Sequence, residues 1–269
     1  MLDCSGLPCV DATVAGGKHF KMLVDTGNAH NLLDTARAKE LGLELKPVNG
    51  PDGKPYPGYF LATVNDVKIG AVALGDLKIL VVDLQAYMDK GQMPVTDIVL
   101  SYTAFKNRIL KMDYKQRLVS VSDVQKTEAP CPGFCGTISN PTFGKQGPPI
   151  VVTTGFELNG KPLTMQVDTL YSGSMLIYPT SVEKLGLTAQ QNTTKKRRFP
   201  FTDGGVDMIE GNAETQAFDN TVLQKNAPIY FATPGVHLPD GMFDGTVGQE
   251  LFSGHVLTLD FMGQHFWIG

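Results

Sequence analysis

Two aspartates share one local context 143 positions apart (168 − 25 = 143). Asp25 stands in Leu23-Val24-Asp25-Thr26-Gly27, and Asp168 in Gln166-Val167-Asp168-Thr169-Leu170. A carboxylate buried at the end of an apolar strand is costly unless it is paired or hydrogen-bonded. Two such groups brought within about 3 Å of one another cannot both ionise, so the pair holds one proton over a broad pH range. One carboxylate can then act as general base towards a water while its protonated partner polarises a substrate carbonyl. That chemistry is hydrolytic and requires no metal, cofactor or covalent intermediate. The pair titrates with two macroscopic pKa values that belong to neither residue alone.

The elements that must position these aspartates are themselves repeated. LVDTGNAHNLLDTARAKELGLELK begins at Leu23 and QVDTLYSGSMLIYPTSVEKLGLTAQ at Gln166. Each reads as a strand ending in Val-Asp-Thr, a polar loop, a short apolar strand and a helix closed by Leu-Gly-Leu, whose glycine suits a helix C-cap. A second pair lies downstream. DIVLSYTAFKNRILKMDYKQRLVSV begins at Asp97 and DGTVGQELFSGHVLTLDFMGQHFWI at Asp244, an offset of 244 − 97 = 147. It aligns Phe105 with Phe252, Leu110 with Leu257 and Asp113 with Asp260. Similar offsets in the same order indicate a duplicated unit. The chain divides into residues 1–126 and 145–269, joined by a Gly- and Pro-rich stretch at 127–144 that reads as a linker. Between the motifs each half alternates loosely with period 2, so the expected fold is mainly β, with helical signal confined to DTARAKELGL, PTSVEKLGL and short segments near Tyr102 and Gln249.

Composition narrows the function. The 269 residues carry a net charge of −4, against the basic face expected of a nucleic-acid protein. No apolar run approaches the roughly 20 residues needed to span a bilayer. The start, MLDCSGLPCVDATV, lacks a basic segment followed by an apolar one, so no signal peptide is expected in this chain. Four cysteines form two close pairs, Cys4 with Cys9 and Cys131 with Cys135. Two short-loop disulfides would suit an exported protein; a zinc site and free thiols are the alternatives.

Hydrophobic-hydrophobic-Asp-Thr-Gly, met at Leu23 to Gly27, followed later by two strand-forming residues and a glycine before a short helix, met at Thr246-Val247-Gly248, resembles the pepsin/retropepsin superfamily of aspartic proteases. The duplication extends the resemblance over nearly the whole chain. It implies a bilobal acid-protease fold with two pseudo-two-fold related β lobes and short helices. It implies an aspartic endopeptidase with Asp25 and Asp168 as the catalytic pair, and Thr26 and Thr169 locking the two active-site loops together. It also implies an extended peptide substrate under a hairpin flap, for which GPDGKPYPGYFLATV is the candidate and Tyr56 or Tyr59 the polar aromatic. Since one chain supplies both aspartates, a monomer is expected, in an extracytoplasmic setting.

Each half departs from the family pattern once. Ser101 stands where the first half should have its downstream glycine, and Leu170 where the second should have the glycine of Asp-Thr-Gly. The second loop is one residue longer: Asp25 to Leu43 is 43 − 25 = 18 positions, Asp168 to Leu187 is 187 − 168 = 19. If Leu170 and Tyr171 together replace Gly27, Ser172 aligns with Asn28, and these two become the side-chain donors to the carboxylates. The departures motivate a second reading, a peptide- or protein-binding module without turnover. Among the remaining residues, Asp113 and Asp260 read as turn or capping carboxylates, His30 as a loop residue, Lys195-Lys196-Arg197-Arg198 as a solvated loop, and Asn192-Thr193-Thr194 as a short match to a glycosylation sequon.

Overall fold

The computed structural model describes residues 2–4, 6–50, 52–86, 96–123, 135–141, 150–191, 193–199, 205–233 and 241–269. It is mainly β, as the period-2 pattern requires, and is built on two sheets. The eight strands of the first sheet all lie between Leu2 and Ser101. The twelve of the second include every described strand from Gly136 onward, together with Arg108–Asp113 and Leu118–Asp123. Gly136–Ser139, within the stretch read as a linker, is one of these strands and pairs with Val152–Leu158 and His265–Ile268.

The duplication in sequence is a duplication in register. Strand Lys18–Asp25 runs parallel to Ile98–Ser101, with Leu23 opposite Val99. Strand Lys161–Val167 runs parallel to Gly245–Val247, with Gln166 opposite Thr246. Both pairings join residues related by the offsets 143 and 147. They exist because each strand before the aspartate is apolar enough to be buried on both faces. The helices expected from the repeat are Thr35–Glu40 and Pro179–Leu185. Asp34 caps the first through the Ala36 amide at 2.8 Å, and a proline in the first turn starts the second. Both end at the glycine of Leu-Gly-Leu in the left-handed region, Gly42 at φ 65° and Gly186 at φ 71°. Short helices Tyr102–Phe105 and Gln249–Phe252 follow the downstream motifs and bury Phe105 and Phe252 completely. Burying such a ring contributes about 1.5–3 kcal/mol each.

The halves are sewn together where the repeat pairs with itself. Arg108–Asp113 lies antiparallel to Val256–Asp260, with Leu110 opposite Leu259 and Met112 opposite Leu257. The 147 offset turns Leu110 into Leu257 and Met112 into Leu259, so the two pairs are images of each other across a pseudo-two-fold axis. Asp113 and Asp260 lie at the ends of these strands and accept turn amides, Gln116 N at 2.7 Å and Gly263 N at 2.8 Å. Their capping reading agrees with this geometry.

Candidate active site

The axis brings the two Val-Asp-Thr loops face to face. Thr26 Oγ1 donates to the Val167 carbonyl at 2.8 Å, and Thr169 Oγ1 donates to the Val24 carbonyl at 2.6 Å. Each hydroxyl also accepts from the other threonine's amide, at 3.0 and 3.3 Å. Both threonines are fully buried. Both hydroxyls and both amides of the crossing are satisfied, which is what makes burying them tolerable.

Each aspartate is held by two amides of its own loop. Asp25 Oδ1 accepts from Gly27 N at 2.9 Å and Asn28 N at 3.1 Å. Asp168 Oδ1 accepts from Leu170 N at 2.9 Å and Tyr171 N at 3.0 Å. The two carboxyl sites are adjacent: a Cβ at Gly27 would lie 2.4 Å from Asp168 Cγ. Burial pushes the Asp25 carboxyl well above the usual range and the charge of Asp168 pushes it further, while the Gly27 and Asn28 amides and the Asn28 side chain pull it back. Burial likewise raises Asp168, against the Leu170 and Tyr171 amides. Adjacent carboxyls with raised pKa values are the arrangement in which one proton is retained between two acids.

The amide pattern corrects the alignment of the second loop. Leu170 by itself takes the place of Gly27, and Tyr171, not Ser172, takes that of Asn28. The extra residue falls later. Asp34 N donates to the Asp97 carbonyl and Tyr178 N to the Asp244 carbonyl, both at 3.0 Å. These bonds fix Asp34 and Tyr178 as equivalents, 144 apart, so Ala29 and His30 face three residues, Ser172 to Ser174. The Asn28 side chain helps to lower the Asp25 pKa, and its Oδ1 accepts from His30 N at 3.0 Å. His30 is exposed.

Ser101 finds its reason in Asn31. The buried Asn31 Oδ1 accepts from Ser101 N at 2.9 Å and Ser101 Oγ at 3.2 Å, and its Nδ2 donates to the Lys78 carbonyl and Thr103 Oγ1. In the second half a Cβ at Gly248 would lie 2.1 Å from the Tyr171 carbonyl oxygen, so only glycine fits there. Gln166 also joins the halves, donating to the Gly27 carbonyl at 3.1 Å. The signal for Gln166 was present, a polar residue where the repeat has Leu23; the signal for Asn31 was not, since the matching residue is not polar.

Lys46–Asn49 and Pro55–Ile69 form a hairpin, with Asn49 opposite Pro55 and Gly50 N bonded to the Lys54 carbonyl at the turn. Tyr56 is exposed near its tip and meets Tyr59 edge-on at 6.4 Å. Tyr59 packs on an apolar cluster that includes Leu170. The basic stretch is a strand, Lys196–Phe199, not a loop, because it pairs with Val206 to Ile209. Lys195, Arg197 and Arg198 pair there with Glu210, Glu250 and Asp207. Cys4 and Cys9 are disulfide-bonded across one hairpin, as expected. Cys135 is also disulfide-bonded; Cys131 lies outside the described residues. Among the described residues no three metal-ligating side chains cluster, and no helix is long and apolar enough to cross a membrane.

Residues 10–104 match the aspartyl protease family model. That stretch contains Asp25, the hairpin and Ser101. Among solved structures, the chain is similar to a retropepsin-like aspartic protease from Rickettsia conorii, at 19% identity over 37% of this chain and 70% of that one, with a TM-score of 0.27. It is also similar to basic 7S globulin from soybean, at 10% identity over 98% of this chain and 91% of that one, with a TM-score of 0.48. No curated protein matches. The family match covers the segment that holds Asp25 and ends before Asp168. Over that stretch, just over a third of the chain, the protein resembles aspartyl proteases.

Proposed function

We propose that the protein is an aspartic endopeptidase that hydrolyses peptide bonds with a water activated between Asp25 and Asp168. The observation that carries this reading is the symmetric holding of two adjacent carboxyls, each by two amides, beneath a doubly hydrogen-bonded Thr26–Thr169 crossing. Fixed donors hold each carboxylate without reorganisation, and raised pKa values keep one proton available for the substrate carbonyl. Residues 1–126 and 145–269 serve as the two lobes and 127–144 as their connection. The Lys46–Asn49 and Pro55–Ile69 hairpin acts as the flap over an extended peptide. The disulfides suit an extracytoplasmic setting, and one chain supplying both aspartates suits a monomer.

The second reading, a peptide-binding module without turnover, draws on Leu170 at the position of a family glycine. Incubation with a diverse peptide mixture from pH 3 to 7, read by mass spectrometry beside Asp25→Asn, decides between them. Cleavage lost in the variant is the expected result; equal cleavage by both proteins, or none by either, would remove the endopeptidase reading.

A further inference from the structure

Beside each active-site loop lies an apolar cluster, and the two are filled differently. The cluster of the second half comprises Tyr171, Leu176, Phe199, Tyr230 and neighbours, all from that half. Its loop residue, Tyr171, is its own. The cluster of the first half is floored by Leu7, Leu23, Val82, Leu84, Val99 and the Cys4–Cys9 disulfide. Its half-exposed members are Leu32, Tyr59, Leu80 and Leu170. Among the described members, Leu170 alone comes from the other half, reaching across the pseudo-two-fold axis from two residues beyond Asp168.

Its position explains the reach. Leu170 is the equivalent of Gly27, where a Cβ would collide with the carboxyl across the axis. The Leu170 side chain packs on the first-half cluster, on which Tyr59 of the hairpin also packs. One cluster thus touches both a residue two positions beyond Asp168 and the candidate flap.

Resting on the endopeptidase reading, we infer that Leu170 is a specificity-determining residue. It occupies the apolar hollow on the first-half side of the cleft and restricts the substrate residue placed there, next to the scissile bond, to small side chains. A site built this way discriminates by volume: each methylene it has no room for costs about 10-fold or more in kcat/KM.

The test profiles a degenerate octapeptide library in which the residues flanking the cleaved bond are Gly, Ala, Leu or Phe. The wild type, Leu170→Ala, Leu170→Val and the surface control Leu118→Ala are compared. The expected result is a wild type that takes Gly or Ala at one flanking position. Leu170→Ala should shift kcat/KM there towards Leu and Phe by about 10–100-fold, with Leu170→Val intermediate and Leu118→Ala unchanged. Should Leu170→Ala fail to fold, Leu170→Val carries the comparison. Folded variants with the wild-type preference at both flanking positions would overturn the inference. Binding of the same library to Asp25→Asn, with and without Leu170→Ala, separates the two readings. A size shift in binding without cleavage by the wild type keeps Leu170 in this role and removes the protease. Asp25-dependent cleavage without a size shift removes the role of Leu170 alone. Neither cleavage nor binding overturns both.

Discussion

Thr26 and Thr169 hold each other reciprocally: the Thr26 amide donates to the Thr169 hydroxyl at 3.0 Å, and the Thr169 amide to the Thr26 hydroxyl at 3.3 Å. Each hydroxyl hands its own proton to a carbonyl of the opposite half. Removing either hydroxyl leaves one buried amide and one buried carbonyl without their partner. Thr26→Ala and Thr169→Ala should each cost about 1–3 kcal/mol. Serine at either position should restore most of the loss. Thermal denaturation of the four variants checks this, and equal melting of alanine and wild type would show that the crossing adds nothing to stability.

Asp25→Asn should abolish cleavage, a loss of about 10²–10⁴-fold or more, and should also stabilise the protein at neutral pH. Burial and the Asp168 charge raise the Asp25 pKa in the folded state. A raised carboxyl pKa contributes stability that is present in full below the unfolded value, near 4, and lost as pH rises through the folded value. Asparagine does not suffer that loss. The melting temperatures of variant and wild type should therefore diverge from acid to neutral pH, with the variant higher. A constant difference across that range would contradict the buried, charge-coupled pair.

Gly27→Ala should disable the site while leaving both aspartates in the sequence. The new Cβ has backbone-fixed direction and would lie 2.4 Å from Asp168 Cγ, so one of the two loops must move. Displacing a catalytic group by about 1 Å costs on the order of 10²-fold. Kinetics on a peptide cleaved by the wild type should show the loss in kcat rather than in KM.

Tyr171→Phe should be neutral or stabilising. The Tyr171 hydroxyl is buried against Phe199 and has no hydrogen-bond partner among the described residues. An unpartnered buried hydroxyl costs about 1–3 kcal/mol, part of which phenylalanine recovers. A marked drop in melting temperature would show that the hydroxyl is bonded, most simply through water.

Asp244→Asn should destabilise at neutral pH and have little effect in acid. Burial opposes the charge of Asp244, yet the Thr164 amide, the Ser181 hydroxyl and the Lys184 ammonium outweigh it and hold its pKa low. A lowered pKa contributes stability that is present above the unfolded value and lost as pH falls through the folded one. The expected loss at pH 7 is about 1–3 kcal/mol, from the unsatisfied partners. Denaturant titrations at pH 7 and pH 3 would reveal it.

The alignment of the second loop shows where reading a sequence stops. The extra residue between Asp168 and Leu187 is countable, but counting does not say where it sits. Placing it beside Leu170 made Ser172 the partner of Asp168; the amides placed it after Tyr171. The choice was made by bonds to Asp97 and Asp244, more than 60 residues away in sequence. Ser101 was visible as a departure, while its compensation by Asn31 was not, because those two residues meet only through folding.

By itself, the amino-acid order determined what repeats and local stereochemistry can encode. The duplicated Val-Asp-Thr units, the helices ended by a glycine that tolerates positive φ, and the mainly β period all rest on neighbours along the chain. Tertiary structure alone decided which amides reach which carboxylate and that Arg108–Asp113 pairs with Val256–Asp260 across the axis. It alone sent the side chain of Leu170 into the opposite half. The reason is physical: these contacts join residues far apart in the chain, and their geometry is set by the packing of both halves at once, to which no local pattern is sensitive.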